Sequence, residues 1–232
     1  MRHTLEKVAQ RIPVEETLVT RKERTLRGQI ESEHIVQLFD TTESLIDVLS
    51  RFVTEALRQD AKVLLVARPR NWDAVAAHLV KQGIDVGEAV DHGRITFLNA
   101  AATMARFMRN SGPDRRLFSE VIEAVVQRLV ETSPAGLYAY GEMVDLLAEE
   151  GDFLAAKELE ALWNDLGARC SFTLLCGYGA AHFASPSAGR ALDAICRAHS
   201  RVRADAADPL GAWLIATDSP DSIPHLQGSA AR

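Results

Sequence analysis

Eight polar or reactive side chains stand directly after apolar runs, where an α/β protein gathers its chemistry. Asp40 and Thr41 follow Ile35–Phe39, Arg68 and Arg70 follow Lys62–Ala67, and Asn99 follows Ile95–Leu98. Glu142 follows Leu137–Tyr140 and Gly141, and Cys176 and Tyr178 follow Ser171–Leu175. If those runs are parallel strands, their carboxyl ends meet on one edge of the sheet, and ligands bind there. Asp40, Thr41, Arg68, Arg70, Asn99, Glu142, Cys176 and Tyr178 are therefore the candidate ligand-binding residues. The arginines flanking Pro69 suit an anion or a carboxylate partner. Glu142 suits a polar ligand, or else meets the dipole of the helix that it opens. We expect Glu142 to pair with Arg68 or Arg70, or to accept from the Tyr178 hydroxyl, as the rim of a cleft. Cys176 has no basic neighbour in sequence and reads as a small hydrophobe rather than an activated thiol.

Several chemistries are excluded by what is missing. A phosphate-binding loop needs GxxxxGK[ST] between a strand and a helix. The sequence contains no Gly-Lys pair, and the first turn offers Asp40 and Glu43, which repel phosphate. There is no GxGxxG, GxSxG or HExxH, so no catalytic residue and no cofactor is assigned. His34 and His199 bracket the domain, but no carboxylate or further histidine stands at ligand spacing from either, so no metal is assigned.

These residues require a scaffold of alternating strands and helices. After Asp40, a candidate N-cap with Glu43 three residues on, Leu45, Val48, Leu49, Phe52, Val53, Ala56 and Leu57 recur at helical spacing. Lys62–Ala67 is almost wholly apolar, as a parallel strand covered on both faces must be. Helices are expected over 72–81, 100–109, 115–131, 143–149, 153–167 and 187–199. The buried stripe of the third is read as Phe118, Val121, Ile122, Val125 and Leu129. Glu160 and Asn164 share one helix face as a polar pair at a pocket or interface, with Trp163 beside them in the core. Five strands alternating with helices make a three-layer α/β fold, a mainly parallel sheet with helices on both faces. Residues 1–30 are expected to form an arm, 31–205 the domain, and 206–232 a poorly ordered tail.

Composition narrows the setting. The chain has 232 residues, 47% hydrophobic and 25% charged, with a formal net charge of −6. An acidic chain is a poor general nucleic-acid binder, since phosphate contacts need basic surface. Three cysteines do not make a disulfide framework. No apolar run is long enough to span a bilayer, and the first thirty residues, with Glu6, Glu15, Glu16 and Glu23 among them, do not read as a signal peptide. The cytoplasm is the expected location.

The motifs resemble one family. His34 opens the first strand, and Ala139-Tyr140-Gly141-Glu142-Met143, Leu159-Glu160-Ala161-Leu162-Trp163-Asn164, Leu174-Leu175-Cys176-Gly177-Tyr178 and Ile195-Cys196-Arg197-Ala198-His199-Ser200 follow in order. Over residues 31–203 the chain resembles the MEDS family, a sensory domain named for methanogens, methylotrophs and the dichloromethane-dehalogenase regulator. The resemblance implies a RecA-like fold without the phosphate-binding loop. It also implies a non-enzymatic sensor of small molecules, hydrocarbon derivatives among them. Implied partners are a small-molecule ligand or a signalling protein of kinase, regulator or anti-sigma type, with self-association also open. The sequence itself carries no recognisable kinase or DNA-binding module. His34, Glu160, Trp163, Asn164 and His199, within the shared motifs, are expected in structural or interface roles. The leading expectation is a ligand bound at the strand ends. The alternatives are an interaction module with that cleft filled by side chains, or a nucleotide binder without hydrolysis.

Overall fold

The structure, a computed structural model, describes residues 32–110 and 112–204. The expected arm over 1–30 and tail over 206–232 lie outside the described residues. Six parallel strands form the main sheet: β1 (Glu33–Phe39), β2 (Lys62–Ala67), β3 (Ile95–Asn99), β6 (Leu137–Gly141), β7 (Thr173–Gly179) and β8 (Arg201–Arg203). Their order is β3-β2-β6-β7-β1-β8. Two-residue strands β4 (Met108–Arg109) and β5 (Gly112–Pro113) pair separately as an antiparallel ribbon.

Alternation along each strand divides the core. Val63, Leu65 and Ala67 face one layer, made by α1 (Thr42–Arg58), α2 (Pro69–Lys81) and α3 (Val86–Asp91). Leu64 and Val66 face the other. That second layer comprises α4 (Ala100–Met104), α5 (Arg115–Phe118), α6 (Ala124–Glu131), α7 (Met143–Glu149), α8 (Phe153–Gly167) and α9 (Pro186–Arg197). The strands are apolar on both faces because both faces are covered. The three-layer α/β expectation holds.

Local differences have local causes. Asp40 is exposed and does not cap α1; Thr41 does, its hydroxyl accepting the Ser44 N–H at 3.1 Å. A threonine in extended geometry one residue nearer the helix displaces the capping-box reading. A π-helical turn, Ser119–Glu123, separates α5 from α6. It adds a residue to the helix, so Val126 rather than Val125 takes the core position after Ile122. The strand β8 was not expected: its three residues include two arginines. It pairs with β1 as Ile35↔Arg201 and Gln37↔Arg203.

β7 runs four residues beyond the expected end, through both glycines. A Cβ on Gly177 would lie 2.7 Å from the Tyr140 hydroxyl and 3.0 Å from its ring. The glycine marks close packing inside a strand, not an exit from it.

Candidate functional site

Two polar clusters are built into this frame. The first lies where β2 and β6, neighbours in the sheet, send their chains to opposite layers, α2 to one and α7 to the other. Such divergence opens a crevice beyond the strand ends. Arg68 leaves β2 as the N-cap of α2, and Glu142 leaves β6 as the N-cap of α7. Glu142 Oε2 accepts the Arg68 backbone N–H at 2.8 Å, and its Oε1 accepts the Arg68 guanidinium. The same guanidinium donates to Asp145 Oδ2 and to Glu149 Oε2, both at 2.7 Å. Asp145 Oδ1 accepts the Gly179 N–H at 2.7 Å and lies 3.1 Å from His182 Nε2.

This cleft is filled. The Glu142 side chain is fully buried, and that of Arg68 is 12% exposed. Burial pushes the Glu142 pKa up although Arg68 opposes it. Burial alone would lower that of Arg68, but Glu142 and Asp145 raise it, so the guanidinium stays charged. One cation faces three carboxylates, an environment that repels phosphate. Two open grooves, of about 780 and 430 Å³, lie elsewhere, beside Asp114 and Asp165 on one layer and Gln82 and His92 on the other.

The second cluster lies on the face of the sheet beneath α8. His34, Cys176 and Tyr178 point to that face from β1 and β7, whose register pairs Val36 with Cys176 and Leu38 with Tyr178. Glu160 and Asn164 descend on them from α8, and His199 follows α9. Glu160 Oε2 lies 3.1 Å from His34 Nε2 and 3.4 Å from Cys176 Sγ. Its Oε1 accepts the Tyr178 hydroxyl at 2.7 Å and lies 3.4 Å from His199 Nε2. His34 Nε2 and Cys176 Sγ are 3.3 Å apart, and the two imidazole centroids 4.0 Å apart.

Hydrogen bonding fixes the imidazole tautomers. Asn164 Nδ2 donates to the Ala198 carbonyl at 3.0 Å, so its Oδ1 faces His34 Nδ1, 2.9 Å away, which must donate. His199 Nδ1 donates to the Ile195 carbonyl at 2.7 Å. Both Nε2 atoms are thus directed at Glu160. Burial opposes ionisation of Glu160, but His199 and His34 hold its pKa well below the usual carboxylate range. Burial alone would depress His199, but the Glu160 charge raises it above the ordinary histidine value. Burial and then the Glu160 charge push the Cys176 thiol well up, so it is no nucleophile at neutral pH.

The eight residues singled out at the strand ends are therefore not one site. Arg68 and Glu142 meet, whereas Arg70 is exposed. Asn99 caps α4 through the Ala102 N–H at 3.0 Å. Cys176 and Tyr178 belong to the second cluster, because β7 continues past them and its alternation turns both to the face under α8. Thr41 is a cap, and Asp40 stands exposed beside it. Asp145, Glu149, His182 and the buried Asn71, whose side-chain amide donates to Glu142 Oε1 at 2.5 Å, lie outside that expectation. Asp145 and Glu149 follow Glu142 at helical spacing, which was a readable signal. Trp163 is core, 1% exposed and edge-on to Phe118. The absence of ligand spacing around His34 and His199 proves uninformative, since Glu160 and Cys176 reach them from two further elements.

No curated protein sequence matches the chain. Among solved structures, the uncharacterised protein PH0321 from Pyrococcus horikoshii, in complex with an unknown peptide, has a TM-score of 0.54 at 14% identity. The match covers 78% of this chain and 81% of that one, a likeness of fold. The profile of the methanogen/methylotroph, DcmR sensory domain matches residues 33–200, from the start of β1 to the residue that closes onto it. The chain belongs to the MEDS family of sensory domains.

Proposed function

We propose that this chain senses by binding, without turnover, and engages a partner at the cleft where β2 and β6 diverge. The observation that carries the reading is the occupant of that cleft: Arg68, nearly buried and shared by three carboxylates. Of those acids, Glu149 is about half exposed. A cationic group from a partner can engage Glu149 while Arg68 keeps Glu142 and Asp145. The two arrangements differ in free energy with and without the partner, which is what a population shift requires. The filled cleft favours a protein segment over a metabolite as occupant. The peptide held by the Pyrococcus protein supports the same choice. The three cysteines are free, which suits a reducing cytoplasm. Among the described residues no helix is long and apolar enough to cross a membrane.

The test sets nucleotides against cationic peptides. Titration calorimetry with ATP or ADP and Mg²⁺ is expected to give no binding heat, and no phosphate should be released. Arginine- or lysine-containing peptides are expected to bind, more weakly at high salt and in Glu149→Gln. Hydrolysis that depends on Mg²⁺ and disappears in Glu142→Gln overturns the reading. So does peptide binding indifferent to both salt and Glu149→Gln.

A further inference from the structure

We propose that His34, Glu160, Cys176 and His199 form a binding site for one divalent transition-metal ion of the zinc class. This inference goes beyond partner binding at the cleft and stands without it. One ligand atom from each of the four residues can be chosen so that all lie within 4.8 Å of one another. A tetrahedral ion with ligand bonds of about 2.0–2.3 Å sets its ligand atoms about 3.3–3.8 Å apart. With Glu160 Oε2 as the carboxylate ligand, its separations of 3.1 Å from His34 Nε2 and 3.4 Å from Cys176 Sγ, and the 3.3 Å between those two atoms, fall close to such edges, while His199 Nε2 lies 3.4 Å from the other carboxylate oxygen.

Three further observations point to a ligand at the centre. First, His199 Nε2 is buried, its side chain 0% exposed, and it has no hydrogen-bond partner; at 3.4 Å its contact with Glu160 is an ion pair only. Second, the outer contacts are those of metal-ligating groups. Each imidazole donates its Nδ1–H to a carbonyl oxygen, of Asn164 or of Ile195, and the Tyr178 hydroxyl supports the carboxylate. Such partners fix the tautomer and orient the ligands. Third, charge closes: one thiolate, one carboxylate and two neutral imidazoles balance a dication, leaving a buried site without net charge. The metal-free cluster instead keeps the Cys176 thiol protonated. Binding displaces that proton to solvent, so affinity rises with pH. The His34 side chain is 10% exposed and offers the ion a way in.

Cobalt is the probe, with the full chain stripped by a chelator. One equivalent of Co²⁺ is expected to give tetrahedral d–d bands and a thiolate-to-cobalt charge-transfer band, both displaced by Zn²⁺. Binding should tighten between pH 6 and pH 8 and raise Tm. Cys176→Ser should lose the charge-transfer band. Asn164→Ala, which leaves every ligand in place, should weaken Zn²⁺ binding about ten-fold or more. Should Cys176→Ser fail to fold, X-ray absorption of the zinc-loaded wild type replaces it, with one sulfur and three nitrogen or oxygen neighbours expected. Octahedral spectra, no thiolate band, or binding unchanged in Asn164→Ala and Cys176→Ser overturns the proposal. So does failure of the stripped chain to bind either ion at micromolar concentration. Peptide binding at the β2–β6 cleft is read separately and is unaffected by either result.

Discussion

Glu142 grips Arg68 twice, one carboxylate oxygen on its backbone N–H and the other on its guanidinium, so a single side chain ties the end of β6 to the end of β2. Main chain and charge are held together, and neither can shift alone.

Removing one partner of such a pair leaves the other buried and unpaired. Glu142→Ala is expected to lower stability by about 3 kcal/mol, read as a shift in urea midpoint at constant slope. Arg68→Ala strands Glu142 and Asp145 instead. Its deficit at pH 7 should shrink towards pH 5, because Glu142, already raised by burial, then takes up a proton. A deficit independent of pH would disprove that electrostatic account.

Gly177 and Tyr140 form a steric pair. Gly177→Ala is expected to cost about 1–3 kcal/mol, since the ring is buried and the new methyl has nowhere to go. The Tyr140 hydroxyl is buried without a hydrogen-bond partner, so Tyr140→Phe alone should be close to neutral. In the double variant the alanine should cost less than in the wild-type background. Strict additivity in thermal unfolding would argue against the contact.

The cluster under α8 gives the metal-free protein a pH signature. The His199 pKa is raised in the folded state, so its contribution is complete below the unfolded value of 6.5 and is lost as pH rises through the folded value. That of Glu160 is lowered, so its contribution is present above the unfolded value of 4.5 and is lost as pH falls through the folded one. With a chelator present, the stability difference between wild type and Glu160→Gln should peak between pH 4.5 and 6.5 and decline towards pH 9. A difference that grows from pH 6 to 9 contradicts the assignment.

The cap of α1 offers a smaller check. Thr41→Ala is expected to cost about 1 kcal/mol, because the Ser44 N–H loses its acceptor. No loss of thermal stability would return the capping role to another residue.

The layers of this fold were legible because its strands are near-continuous apolar runs between amphipathic helices. The ends of β7 and the existence of β8 were not. Gly177 looks like a turn until the Tyr140 ring is placed beside it, and Arg201–Arg203 carries no apolar signal. The meeting of Arg68 with Glu142 was within reach because both end strands. The convergence of His34, Glu160, Cys176 and His199 was not, because no local spacing encodes a contact among four elements from opposite ends of the domain. Of the links in that cluster, only the i, i+4 relation of Glu160 and Asn164 could be read from the sequence.

The sheet order also sets a timetable for synthesis. β1 lies between β7 and β8, so the first of the described strands to be made acquires its neighbours last. While residues 40–172 emerge, β2, β3 and β6 can assemble, but the apolar segment Ile35–Phe39 has both edges unpaired. Unpaired apolar edges invite association with other chains. Fragments ending before Thr173 should therefore aggregate, and folding of the whole domain should be slow for its size, paced by closure of a loop that spans nearly the entire domain.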